Sequence, residues 1–145
     1  MSKLIFVNLP VTDLDRSIAF YEAIGASKDP RFSDTTAAAM VLSETIHVML
    51  LTHDKYRQFT TKEIADAHKT SAALICVSED SRAAVDATVD KAIKAGAREA
   101  RPAQDYGFMY GRSFEDLDGH IWEPMWMDME AATAAMAPQP EAAEA

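Results

Sequence analysis

Two short runs of the chain constrain its fold more than anything else in it. Leu4–Asn8 reads LIFVN and Leu74–Ser78 reads LICVS, and each run is followed by a helical pattern that closes on a Gly-Ala pair. Short β-rich segments follow each helix, so the chain order is β-α-β-β-β, twice over. A repeat of this kind means two copies of one supersecondary unit, whose curved sheets can together enclose a cavity that neither forms alone. The predicted fold class is α+β, built from two βαβββ modules at 3–52 and 71–128.

The punctuation agrees. Lys3 to Val11 is rich in β-formers, and Pro10, which lacks an amide proton, predicts a strand end near Leu9. Thr12 and Asp15 have capping-box spacing, Leu14, Ile18, Tyr21 and Ile24 fall on one helical stripe, and Gly25 terminates it. Strands are predicted around 26–32, 36–42 and 46–52. In the second module Val85, Val89, Ala92 and Ile93 form the helical stripe and Gly96 ends it, with strands around 97–101, 108–115 and 120–127. The segment TTKEIADAHK, with Thr60 and Glu63 again at capping-box spacing, predicts a helical connector over 53–70. Residues 129–145, rich in Ala, Pro and Glu without an apolar period, read as a mobile tail outside a single domain at 1–128.

Composition narrows the partners. At 145 residues the chain is long enough to bury a real core. A net charge of −9 opposes binding to phosphate backbones, so nucleic acid is not an expected partner. The first apolar run, LIFVNLPV, is too short and interrupted for a spanning helix or a signal-peptide core, so neither a membrane segment nor export is expected. One cysteine, Cys76, rules out an intramolecular disulfide, and its place in AALICV reads as a packed thiol; the expected location is the cytoplasm.

The DLDRSIAFY start of the first helix and FEDLDGHIWEPMW near the end, set on the repeated module, resemble the vicinal oxygen chelate superfamily, which includes glyoxalase I, bleomycin-resistance proteins and extradiol dioxygenases. The likeness is nearest to small bacterial proteins described as predicted lactoylglutathione lyases, and it covers residues 3 to 128. It implies a half-open barrel around a cavity and assembly as a homodimer. Metal-using relatives take one ligand each from the first, fourth, fifth and eighth strands. Here the eighth-strand position falls on Glu123, but the first falls on Phe6, the fourth on Met49 and the fifth near Ala72. His47 lies one step along the face of Met49. Since an N/O-bound divalent ion generally needs three or four protein donors, no cofactor is expected, with Glu123 and His47 as the only metal ligands if any exist.

Glu123 itself poses a question, because a carboxylate inside the apolar strand HIWEPMWM must be paired, liganded or protonated. If a turn occupies 116–119 and Glu115 pairs with His120, then Arg112 stands opposite Glu123, and Tyr110, Met125 and Glu123 share a cavity face with it. The expected site therefore comprises Glu123 and His47 as acid–base candidates, with Arg112, Tyr110, Asn8, Met49, Met125 and Tyr106 as ligand contacts. His53, His68 and His120 read as surface residues. The leading expectation is a small organic ligand bound without a firmly held metal. The alternatives are a metal-dependent lyase or isomerase of the lactoylglutathione lyase type, and a drug-sequestering resistance protein.

Overall fold

The computed structural model describes residues 2–137. The first module runs β1 (Ile5–Val11), α1 (Leu14–Ala23), β2 (Ser27–Asp29), a 3-10 turn (Pro30–Phe32), β3 (Ala37–Val41) and β4 (Ile46–Thr52). A one-turn helix, α2 (His53–Tyr56), leads into the connector. The second module runs β5 (Leu74–Ser78), α3 (Arg82–Lys94), β6 (Arg98–Glu99), β7 (Gln104–Asp105), β8 (Met109–Gly111), β9 (Phe114–Glu115) and β10 (Ile121–Met127).

The sheets repeat each other. In the first the order is β1-β4-β3-β2, with β1 and β4 parallel. In the second, β5 lies parallel to β10, which pairs on its other side with β8 and β9, and these pair with β7 and β6. This is the same order with the two outer strands each broken in two. Pro102, with no amide proton for the ladder, lies in the gap between β6 and β7.

One side of each sheet faces a shared core. Val11, Val48, Leu50, Met40, Phe114 and Trp122 are buried there against Phe20 and Tyr21 of α1 and Val89 and Ala92 of α3. Phe20 meets Phe114 and Tyr21 meets Trp122 with ring centroids 6.0 Å apart in each case, so α1 of the first module is seated on the sheet of the second. Trp122 Nε1 donates to the Tyr21 hydroxyl (3.0 Å), which donates to buried Asp116 (2.5 Å). Burial pushes the Asp116 carboxyl up and the Tyr21 phenol well up, although each keeps its hydrogen bonds. Asp118 accepts from the backbone amide and hydroxyl of Thr12, both at 2.9 Å. The DLDG turn is thus fastened to the start of α1.

Several local expectations change. Asp13, rather than Thr12, caps α1 by accepting from the Arg16 amide, because the Thr12 hydroxyl is engaged by Asp118. TTKEIADAHK is irregular: the Thr60 hydroxyl accepts from the Lys62 amide and Asp66 from the His68 amide, local bonds that stabilise turns in place of helix. Residues 129–136, read as the start of a mobile tail, form α4 (Met129–Met136), with Asp128 as its N-cap and Ala132 buried; residues 138–145 of that tail lie outside the described residues. Among the described residues no helix is long and apolar enough to cross a membrane.

Candidate functional site

The faces turned away from the core hold the candidate site. On the first sheet they carry Phe6 and Asn8 of β1 beside His47 and Met49 of β4, paired Phe6 to His47 and Asn8 to Met49. The Phe6 and His47 rings stack at 4.7 Å, and His47 Nε2 is buried without a hydrogen-bond partner. On the second sheet Cys76 pairs with Glu123 and Ser78 with Met125. Since LIFVN aligns Phe6 with Cys76, the register makes His47 the first-module counterpart of Glu123. Met49 lies two residues further along β4, opposite Asn8, and Ala72 precedes β5.

The partner of Glu123 is also different. Arg112 does not stand opposite it: Ile121 pairs with Glu115 and Met125 with Gly111, one residue out of the expected register. The cause is the turn, where the Asp116 amide bonds the His120 carbonyl (2.9 Å) and Gly119 takes a φ of +89°. That makes a three-residue loop closed by a left-handed glycine. A one-residue slip exchanges the two faces of a strand. Arg112 and Tyr110 consequently point to the helix side. Arg112 bonds Asp86 and Asp90 of α3 and Glu99 at 3.0–3.1 Å, and the Tyr110 hydroxyl donates to Asp86 (2.6 Å). Tyr106 stacks loosely on Phe108 (6.4 Å) in a loop pinned by Arg82, which grips Asp105 with two hydrogen bonds and the Gly107 carbonyl with a third.

Glu123 is paired instead with Arg101, from the segment after β6; its side chain is 15% exposed and that of Arg101 49%. Cys76, expected to be packed, is exposed beside them. Partial desolvation of the sulfur against the sheet, and then the neighbouring Glu123 charge, push its thiol pKa up, with Arg101 opposing. The repeat itself could have placed Cys76, by aligning it with Phe6. Nothing in the sequence marks Arg101, which lies in an irregular segment beside a proline.

The arrangement and the sequence now converge on one lineage. The family model of the Glyoxalase/Bleomycin resistance protein/Dioxygenase superfamily matches residues 3–123. The chain belongs to that superfamily. None of the curated proteins compared matches the chain. Among solved structures the chain is similar to a glyoxalase/bleomycin resistance protein/dioxygenase family enzyme from Burkholderia phytofirmans PsJN, with 19% identity over 87% of this chain and 99% of that one and a TM-score of 0.71. It is also similar to a glyoxylase/bleomycin resistance protein/dioxygenase domain from Frankia sp. EAN1pec, with 26% identity, coverage of 88% and 98% and a TM-score of 0.66. The fosfomycin resistance protein FosX from Mesorhizobium loti shares 18% identity, with coverage of 91% and 98% and a TM-score of 0.66.

The metal centre of metal-using superfamily members can be tested against the residues present. The matching positions hold Phe6, Met49 with His47 beside it on β4, Ala72 and Glu123. An aromatic ring cannot ligate, Glu123 is engaged by Arg101, and among the described residues no three His, Cys, Asp or Glu side chains are grouped to hold an ion. This donor set does not fit a divalent cation of that kind.

Proposed function

We propose that this superfamily member binds a small organic molecule on the open sheet faces without a firmly held metal, and does so as a homodimer. The observation that carries the reading is the Arg101–Glu123 pair: the one carboxylate at a ligand position is already engaged by a guanidinium. Arg101 is half exposed and keeps guanidinium donors for an anionic or carbonyl group, while Glu123 offers acceptors to a hydroxyl or amine. Met125 lies on the same face of β10 as Glu123, and Asn8 and Met49 sit on the open face of the first sheet. Dimerisation is supported by Phe6 and Leu74, exposed at 52% and 58% on those faces, since a second copy would remove their apolar surface from water.

Metal content per chain, measured by plasma mass spectrometry on protein purified without chelators, tests the reading. Less than a tenth of an equivalent, unchanged after incubation with Ni, Zn, Fe or Mn, is the expected result. A stoichiometric ion would overturn it and favour the metal-dependent lyase, for which hemithioacetal turnover abolished by chelator is the assay. Saturable antibiotic binding without product would narrow the proposed ligand to a drug.

A further inference from the structure

The second open face holds a hydroxyl with nothing to bond. Ser113 is fully buried, and its Oγ has no hydrogen-bond partner among the described residues. The register on either side of it is continuous: Trp122 pairs with Phe114 and Met125 with Gly111, and the Arg112 amide bonds the Pro124 carbonyl (3.1 Å). Ser113 therefore stands opposite Glu123, in a pair without mutual backbone bonds, the kind that brings side chains closest. Pro124 has no amide to return to Arg112, which is why β8 and β9 part at this point. On the far side the Ala100 amide bonds the Ser113 carbonyl (3.3 Å), and Arg101 follows where that ladder ends.

A buried hydroxyl without a partner destabilises the fold, so what it could bond matters. Its oxygen is closed to solvent, and a ligand cannot reach it while Glu123 and Arg101 keep their places. The carboxylate beside it on the same face is that of Glu123. Arg101 donates to Glu123 through one nitrogen, and the rest of its guanidinium has no partner among the described residues; the side chain is 49% exposed. Arg112 by contrast is held by three carboxylates, and Arg82 by Asp105 and the Gly107 carbonyl. Arg101 is thus free to leave, and Ser113 is the donor that remains for Glu123 when it does.

We infer, on the reading of the open faces as a ligand site, that the ligand carries a carboxylate that draws Arg101 off Glu123, and that Ser113 is the positioning residue that then takes over Glu123 by donating its hydroxyl. The unbonded donor selects this class. A ligand amine would itself satisfy Glu123, leaving Arg101 without a partner and Ser113 no better placed. A ligand that takes neither group would leave the hydroxyl as it is. A ligand that removes the guanidinium gives that hydroxyl a bond to make. An apolar body would lie against Leu74, Ile121 and Met125, which flank Cys76 and Glu123 on the same face.

Benzoate serves as the probe, with benzamide and benzylamine as matched controls, titrated into 15N-labelled full-length protein. Saturable shifts centred on Cys76, Arg101, Ser113 and Glu123, seen with benzoate and not with either control, are expected. Ser113→Ala should leave the urea midpoint of the free protein unchanged, because the hydroxyl makes no bond there, yet weaken benzoate about tenfold, the loss of a hydrogen bond to a charged group. In an Arg101→Ala background, where Glu123 depends on the hydroxyl, the same substitution should lower the folding equilibrium constant about tenfold. Equal binding of a control, no shifts at millimolar benzoate, or an effect of Ser113→Ala on stability that is the same with and without Arg101 would overturn the inference. The coupling is measured without ligand, so additivity strikes the Ser113 exchange alone, whereas a stoichiometric metal ion strikes the reading of the open faces as well.

Discussion

The two modules share a topology and differ in what they present on it. At matching register the first sheet offers Phe6 stacked on His47, and the second offers Cys76 beside a Glu123 held by Arg101. Their hairpins differ in the same way. The turn of the first module, around Ser43–Thr45, is exposed and, apart from the Thr45 carbonyl accepting from the Ile5 amide (2.9 Å), bonded locally, whereas that of the second buries Asp116 and Asp118 against α1 and carries the connector on Gly119. The first copy contributes apolar and aromatic surface; the second contributes charge, and the turn that locks the modules together.

The hairpins allow the strongest test of that division. Gly119→Ala must strain a φ of +89° and displace the backbone of Ala67 and His68, a combination expected to cost about 3–5 kcal/mol. Glu44→Ala, on the exposed first turn, should stay within about 0.5 kcal/mol. Urea titration of both variants checks this, and similar midpoints would mean that the second turn is not the lock. On the open faces, Arg101→Ala strands a mostly buried Glu123; because Arg101 is half exposed, solvent screening reduces the loss to about 1–2 kcal/mol. Arg112→Ala should destabilise by about 2 kcal/mol through Asp86, Asp90 and Glu99 while sparing ligand binding, whereas Arg101→Ala should weaken both. If ligand affinity fell with Arg112 and not with Arg101, the register of β8 and β10 would have to be rethought.

That register marks the boundary of what the sequence discloses. The repeated LIFVN and LICVS runs, the helical stripes and the terminal glycines Gly25 and Gly96, with φ of 110° and 113°, were legible because each is a local signal with its own physical cause. The α+β class and the superfamily followed from them. The partner of Glu123 was not legible, because it depended on whether the DLDG loop spans two residues or three, and period-2 alternation turns a single residue into an exchange of faces. Cys76 looked packed because AALICV is apolar, yet the strand's half-buried positions are those of Ile75 and Val77, leaving Leu74, Cys76 and Ser78 outside. Arg101 and the connector are set by tertiary contacts that no short window contains.

The thiol gives a finer probe of the second face. Partial desolvation and the Glu123 charge raise its pKa, so removing that charge in Glu123→Gln should lower it and leave Arg101 to stabilise the thiolate. Alkylation by iodoacetamide at pH 8 should accelerate about threefold or more in the variant, following the thiolate fraction. An unchanged rate would mean that the Glu123 charge does not reach the sulfur.

The smallest effect concerns two arginine–aspartate clasps, Arg31–Asp29 in the first module and Arg82–Asp105 in the second. Asp29 is held by Arg31, two residues away, and Asp105 by Arg82, from α3. Both carboxyls lie below their usual pKa through hydrogen bonds from the arginine, Asp105 at about 2 against an ordinary 3.8. For a carboxyl lowered in the folded state, the stabilisation is complete above the unfolded pKa and fades as pH falls through the folded one. Stability tied to Asp105 should therefore disappear between about pH 4 and pH 2, and Asp105→Asn should flatten the acid limb of the unfolding curve in that window. Asp29→Asn should flatten it less, because its clasp joins neighbours in sequence, which the unfolded chain already keeps close. Both aspartates are tied to solvent-accessible arginines, so the differences will be modest and should shrink in 1 M salt. Equal flattening by the two variants would show that linking the 105–108 loop to α3 adds nothing to the fold beyond a local ion pair.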